Sequence, residues 1–231
     1  MLTEFAQGST ILVDKPLTWT SFDVVNKLRW HLRKRLGVKK LKVGHAGTLD
    51  PLATGLLVIC VGKNTKLIEG LMGDLKTYTG TILLGKTTPS YDLETEFDNS
   101  FPTDHITDDM LENVRASFMG EQQQVPPIFS AKQVDGQRAY DLARAGKEVE
   151  LKANTIEIHA FTIDASRFPE VDFEISCSKG TYIRSIASDF GKKLDCGGTL
   201  IALRRTASGD NNVNNAQSVE EWIEFFESEP L

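Results

Sequence analysis

Twelve residues, Gly44-His45-Ala46-Gly47-Thr48-Leu49-Asp50-Pro51-Leu52-Ala53-Thr54-Gly55, constrain this chain more than any other stretch. One carboxylate, Asp50, stands among three glycines and a proline, and an unbroken apolar run, Leu56 to Val61, follows at once. Glycine permits close backbone approaches that a side chain would block, and Pro51 fixes the chain just after the acid. A run of six apolar residues reads as a buried strand. Together they predict a rigid loop that offers Asp50 from a buried scaffold, as a catalytic carboxylate is offered. The residues alone leave a second reading open, since an aspartate before proline also caps ordinary turns.

The rest of the sequence predicts interspersed strands and helices. Thr10 to Val13 reads as a strand. Thr20 or Ser21 can cap a helix to about Leu36, with Phe22, Val25, Leu28, Leu32 and Leu36 on its buried face and Gly37 at its end. Asn64 to Met72 reads as a short helix and Lys76 to Leu84 as a half-buried strand. Pro89 to Thr107 is a polar, acidic surface loop. From Thr107 a helix carries Met110, Leu111, Val114 and Phe118 inward, and Ala139 to Ala145 forms another short helix. Strands follow at Ile156–Ile163 and Val171–Cys177. A helix then buries Ile183, Ile186, Ala187, Phe190 and Leu194, and Leu200–Arg205 is a last strand. Ser218 and Glu221 form a capping box for a helix over 218–228 that buries Val219, Trp222, Ile223 and Phe226. This alternation, mostly over short links, predicts an α+β or mixed-sheet α/β fold.

Composition narrows the function classes. Of 231 residues, 40% are hydrophobic and 25% charged, as in a soluble globular protein. No apolar run is long enough to span a membrane, and Met1–Thr10 lacks the layout of a signal peptide. Cys60, Cys177 and Cys196 are widely spaced and read as reduced, buried cytoplasmic cysteines. The net charge of −6 argues against nucleic acid, yet Val24 to Leu49 holds no acid and carries Lys27, Arg29, Arg33, Lys34, Arg35, Lys39, Lys40 and Lys42. Such a stripe is either a local phosphate-binding surface or a solvated helix face. Gly80–Thr87 satisfies the P-loop spelling, but its middle residues are strand formers and Pro89 stands where a helix should run. The four histidines show no metal-binding spacing, and no dinucleotide fingerprint is present.

The Gly44–Gly55 segment resembles the signature of the bacterial tRNA pseudouridine synthase B family, whose members isomerise uridine-55 in the T-loop of tRNA. Further segments carry the resemblance in family order. Asp14-Lys15-Pro16-Leu17-Thr18-Trp19-Thr20-Ser21 is similar to DKPxGxTS, with Thr18 where the family usually has glycine. Lys76-Thr77-Tyr78 resembles the segment with an active-site tyrosine, and Pro126–Ala131 matches PPxxSA. Lys179–Ser185 matches the GTYIR motif, and Leu203-Arg204-Arg205-Thr206 matches LRRT. The resemblance implies a pseudouridine-synthase catalytic domain around a mixed, largely antiparallel sheet flanked by helices, spanning 1–231. Family members usually add a PUA domain. Only about 22 residues follow Gly209 here, and the stretch is acidic overall, so no PUA domain is expected.

The resemblance also implies roles. Asp50 is the essential carboxylate, and Arg184 keeps it ionised and oriented. Tyr182 takes the C5 proton, Tyr78 stacks on the flipped uracil, and Leu203 lines the pocket from the other side. His45 stacks where bases have left the RNA. Lys15, Lys66, Lys39, Lys40 and Lys42 are candidate phosphate contacts. Without the motif, Tyr78 reads as core, Arg184 as surface and His45 as an ordinary loop residue. Tyr182 and Arg184 share a face only if the backbone there is extended, so the helix is predicted to start at or after Arg184. The reaction is a redox-neutral isomerisation, so no cofactor and no metal are implied. The implied partner is tRNA, met in the cytoplasm by a monomer without protein partners. A guide-RNA-dependent synthase of the dyskerin type and a non-catalytic RNA-binding or tRNA-folding module are the rival readings.

Overall fold

The computed structural model describes residues 1–130, 133–134, 137–138 and 151–231. Its helices are α1 (Leu2–Gln7), α2 (Ser21–Leu36), α3 (Ile68–Met72), α4 (Asp108–Ala116), α5 (Ile183–Lys193) and α6 (Val219–Ser228). The strands are β1 (Gly8–Lys15), β2 (Val43–His45), β3 (Ala53–Gly62), β4 (Lys76–Leu84), β5 (Lys86–Thr87), β6 (Asn99–Ser100) and β7 (Gly120–Gln124), continued by β8 (Gln133–Val134), β9 (Gln137–Arg138), β10 (Asn154–Arg167), β11 (Glu170–Cys177), β12 (Gly198–Ser208) and β13 (Asn211–Asn212). The helix expected over Ala139–Ala145 lies outside the described residues. The chain divides into two compact units, Met1–Tyr78 with Leu203–Leu231, and Thr79–Ala202.

The first unit is built on β3. β1 runs antiparallel to it from Gly8 opposite Gly62 to Lys15 opposite Gly55. β2 pairs antiparallel with its C-terminal half, and β12 pairs in parallel with its start, Leu203 opposite Ala53. Successive side chains point to opposite faces. Leu57, Ile59 and Val61 therefore join one apolar cluster with α2 and α6, while Leu56 and Val58 join another with Ala46 and Val213. A strand covered on both faces must be apolar throughout, which is why this run does not alternate.

α2 starts at a capping box. The Thr20 hydroxyl accepts from the Asp23 N–H at 3.0 Å, and the Asp23 carboxylate accepts from the Thr20 N–H at 2.9 Å. Gly37 ends the helix in the left-handed region at φ 66°. Val24, Val25, Leu28 and Leu32 are buried, but Phe22 is 61% exposed, against expectation. At about 100° per residue the buried face centres on Ser21, Leu28 and Leu32, and Phe22 lies about 100° off it. α6 carries the expected capping box, with Val219 and Phe226 buried.

In the second unit the strand order is β12, β4, β11, β10, β7, with β10 antiparallel to both β11 and β7. Phe118, Phe161, Phe173 and Phe190 pack edge-on or stacked at centroid separations of 6.0–6.2 Å. α5 buries Ile183, Ile186, Ala187 and Phe190 against this core, as the spacing predicts. Gly80–Thr87 runs from β4 through Gly85 into β5, strand to strand, so the P-loop reading is excluded by the backbone itself.

Candidate functional site

Asp50 lies in a turn closed by the Ala53 N–H donating to its carbonyl at 3.0 Å, and its side chain is partly exposed. Segments far away in sequence hold this loop by its backbone. The Ser21 hydroxyl accepts from the Leu49 N–H at 2.8 Å and donates to the Leu49 carbonyl at 3.1 Å. The Thr18 N–H donates to the Pro51 carbonyl at 2.8 Å. Thr18 sits at φ 70°, so it keeps the left-handed turn for which glycine is suited.

Two fully buried cations complete the seat. Lys15 is 0% exposed and donates through Nζ to the carbonyls of Pro16 (2.9 Å), Trp19 (2.5 Å) and Pro51 (3.4 Å). Burial pulls its pKa from 10.5 down to about 8, against the attraction of Asp50 and Asp23 and with the repulsion of Arg205. Its three protons are spent on carbonyls, so the expectation that Lys15 contacts phosphate is corrected: it braces the loop from beneath. Arg205 is 1% exposed and donates from Nε to Leu56 O at 2.7 Å and from Nη2 to Gly47 O at 3.1 Å, clasping both ends of the loop. Gly55, at φ 98°, passes so close that a Cβ there would lie 2.3 Å from the Arg205 carbonyl. Neighbouring Arg204 makes a two-point ion pair with Asp14 at 3.0 and 2.7 Å.

The other candidates of the first unit differ in setting. His45 ends β2 and is half-buried, and its Nδ1 is buried without a hydrogen-bond partner in the protein. Burial, then Arg205, holds its pKa below the usual imidazole value, so the ring is neutral at pH 7. Tyr78 and Leu203 are half-buried on β4 and β12, and Lys39, Lys40, Lys42 and Lys66 are exposed. Lys76, near Tyr78, is buried and donates to the carbonyls of Leu71, Met72 and Asp74 at 2.7–3.2 Å.

Tyr182 and Arg184 belong to the second unit. Tyr182 is the extended residue before α5, at φ −97° and ψ 107°. The helix starts at Ile183, one residue earlier than expected, because its buried stripe already begins there. Arg184 is 4% exposed, donates to Phe129 O at 2.9 Å and Ser90 O at 3.3 Å, and lies 3.6 Å from the Asp92 carboxylate. Asp92 was hidden in what the sequence presents as an acidic surface loop, yet it is buried. Gln124 ties the backbone of Tyr182 and carries no motif signal of its own. Arg205 stands in the quoted LRRT motif, and only its burial reveals its task.

The family model described as TruB family pseudouridylate synthase (N terminal domain) matches residues 33–183. The tRNA pseudouridine synthase B of Flavobacterium johnsoniae is 54% identical over 214 residues, covering 92% of this chain and 93% of the relative. That of Phocaeicola vulgatus is 50% identical over 227 residues, covering 98% and 97%. Among solved structures, a chain of a Cbf5-Nop10-Gar1 complex matches with a TM-score of 0.72 at 24% identity, over 98% of this chain and 56% of that one. At that identity the likeness is one of fold, and it extends to a mixed sheet with flanking helices.

Proposed function

This chain belongs to the TruB family of pseudouridylate synthases, and we propose that Asp50 is the carboxylate with which it isomerises uridine-55 in the T-loop of tRNA. It is a tRNA pseudouridine synthase. The reaction breaks the N1–C1′ bond, turns the uracil and bonds C5 to C1′. One hydrogen leaves C5 and one arrives at N1, so nothing is oxidised or reduced.

The observation that carries the reading is the seat of Asp50. Three residues distant in sequence bond the backbone of its loop, Ser21 at Leu49, Arg205 at Gly47 O and Lys15 at Pro51 O, and Arg205 also holds Leu56 O at the start of the buried run. Such preorganisation is what a catalytic carboxylate needs and what a simple turn cap does not. Tyr78 and Tyr182 divide stacking on the uracil and removal of the C5 proton between them. Replacing each by Phe separates the tasks, since Phe keeps the ring and loses the hydroxyl. Arg184 of the GTYIR segment and Leu203 complete the set on the strength of the motifs.

The test uses tRNA transcript with tritium at uridine C5, whose release reports turnover. Asp50→Asn is expected to lower turnover on the order of a thousandfold or more while tRNA binding stays near wild type. Turnover at the wild-type rate sinks the proposal, and a modified nucleotide mapped elsewhere than position 55 sinks its specificity.

Extruding the base costs a few kcal/mol, which phosphate contacts must offset. Lys39, Lys40, Lys42 and Lys66 are exposed and free to supply them. Changing the first three to Gln should reduce the slope of log K against log salt by roughly two to three. His45, half-buried at the end of β2, stacks where bases have left the folded RNA. The enzyme works as a single chain in the cytoplasm on tRNA alone. Among the described residues no helix is long and apolar enough to cross a membrane.

A further inference from the structure

Three glutamines end β7, and only the last, Gln124, is buried, at 3% exposure. Its carboxamide grips one residue at two points. Oε1 accepts from the Tyr182 N–H at 2.8 Å, and Nε2 donates to the Tyr182 carbonyl at 3.0 Å. The same carbonyl also accepts the Ile186 N–H at 3.2 Å. Tyr182 is the capping residue of α5 but has no side-chain oxygen that can reach back to the helix, so the cap is supplied from outside. A second tie lies alongside, where the Ser185 hydroxyl donates to Val125 O at 2.9 Å. Gln124 is itself fixed by the ladder, opposite Asn154 of β10.

We propose that Gln124 is a positioning residue for Tyr182, acting through the backbone of that residue. With both polar backbone groups of Tyr182 tied to a sheet, only two side-chain torsions remain to place the phenol. A glutamine is suited to this because one planar group offers an acceptor and a donor side by side. An aliphatic side chain offers neither group. The inference rests on the reading of Tyr182 as a residue that meets the uridine.

The experiment is a cycle of single-turnover rates on tRNA transcript, with tRNA binding and urea unfolding measured on every variant. Gln124→Ala is expected to slow turnover on the order of tenfold to a hundredfold, as small misplacements of reacting groups do. Binding should stay within about twofold. In a Tyr182→Ala background, Gln124→Ala should cost less than about twofold more, since nothing is left to position. Gln124→Glu keeps the acceptor for the Tyr182 N–H and should fall between wild type and Gln124→Ala, which also covers the case in which the alanine variant does not fold. If Tyr182→Ala turns over at the wild-type rate, the reading of Tyr182 is lost and this inference with it. If Tyr182→Ala is slow but Gln124→Ala costs the same in both backgrounds, or nothing in either, the positioning role alone is refuted.

Discussion

The Asp50 loop and the backbone leading into α5 solve one problem by opposite means. The loop is held by buried cations, Lys15 at the Pro51 carbonyl and Arg205 at the Gly47 carbonyl, and by Gly55, pressed against the next strand. The segment before α5 is held by neutral groups, the Gln124 amide and the hydroxyls of Thr181 and Ser185, and at Gly180 an added Cβ meets nothing within 4 Å. Charged braces in a dry site hold strongly but make the loop answer to pH and to any change of shape. Neutral ties in an open site give up strength for tolerance.

The contrast should be plainest in the glycines. Gly55→Ala puts a Cβ 2.3 Å from a backbone oxygen at φ 98°, where β3 and β12 must part to admit it. A loss above about 4 kcal/mol in urea unfolding is expected. Gly180→Ala meets only the strain of its φ of 80° and should cost about 1–2 kcal/mol. Equal losses would erase the distinction.

Acidity gives the next test. Lys15 titrates at about 8 in the fold and at 10.5 in the open chain. Between those values the unfolded chain holds the extra proton, so unfolding free energy rises with pH across the window and gains nothing below it. Wild type minus Lys15→Met isolates that rise, with a ceiling of roughly 3 kcal/mol by pH 10.5. A flat difference would mean that Lys15 is not desolvated. Arg205→Met sets two effects against each other. It removes hydrogen bonds from a charged donor, worth about 1.5–3 kcal/mol each, and it relieves a buried guanidinium of its desolvation. The first should win by about 2 kcal/mol, visible as a lower urea midpoint. The smallest effect has the opposite sign. Thr18→Gly relieves a left-handed φ and should stabilise by up to about 1 kcal/mol, read from the thermal midpoint.

Elements with a strong period were legible in the sequence. The stripe of α5, the capping boxes of α2 and α6 and the buried run of β3 follow from spacing alone. Phe22 was misjudged because a stripe fixes a face only to within one flanking position, and Val24 takes the burial instead. Asp50 and its companions are proposed from motifs. Their supports were not, because a lysine or arginine spelled in a sequence gives no sign of whether it ends in water or on a carbonyl. Lys15 and Arg205 end on carbonyls, and Asp92 sits inside a stretch whose composition reads as solvated. Gln124 is one of three identical neighbours, told apart only by which way the strand turns its side chains.

The parallel pairing of Leu203, Arg204 and Arg205 with Ala53, Thr54 and Gly55 has a consequence for biosynthesis. The segment with Asp50 leaves the ribosome long before Arg205, so the acid emerges without its clasp. Until Arg205 is made and returns to Gly47 O and Leu56 O, the growing polypeptide carries Asp50 on an unbraced tether.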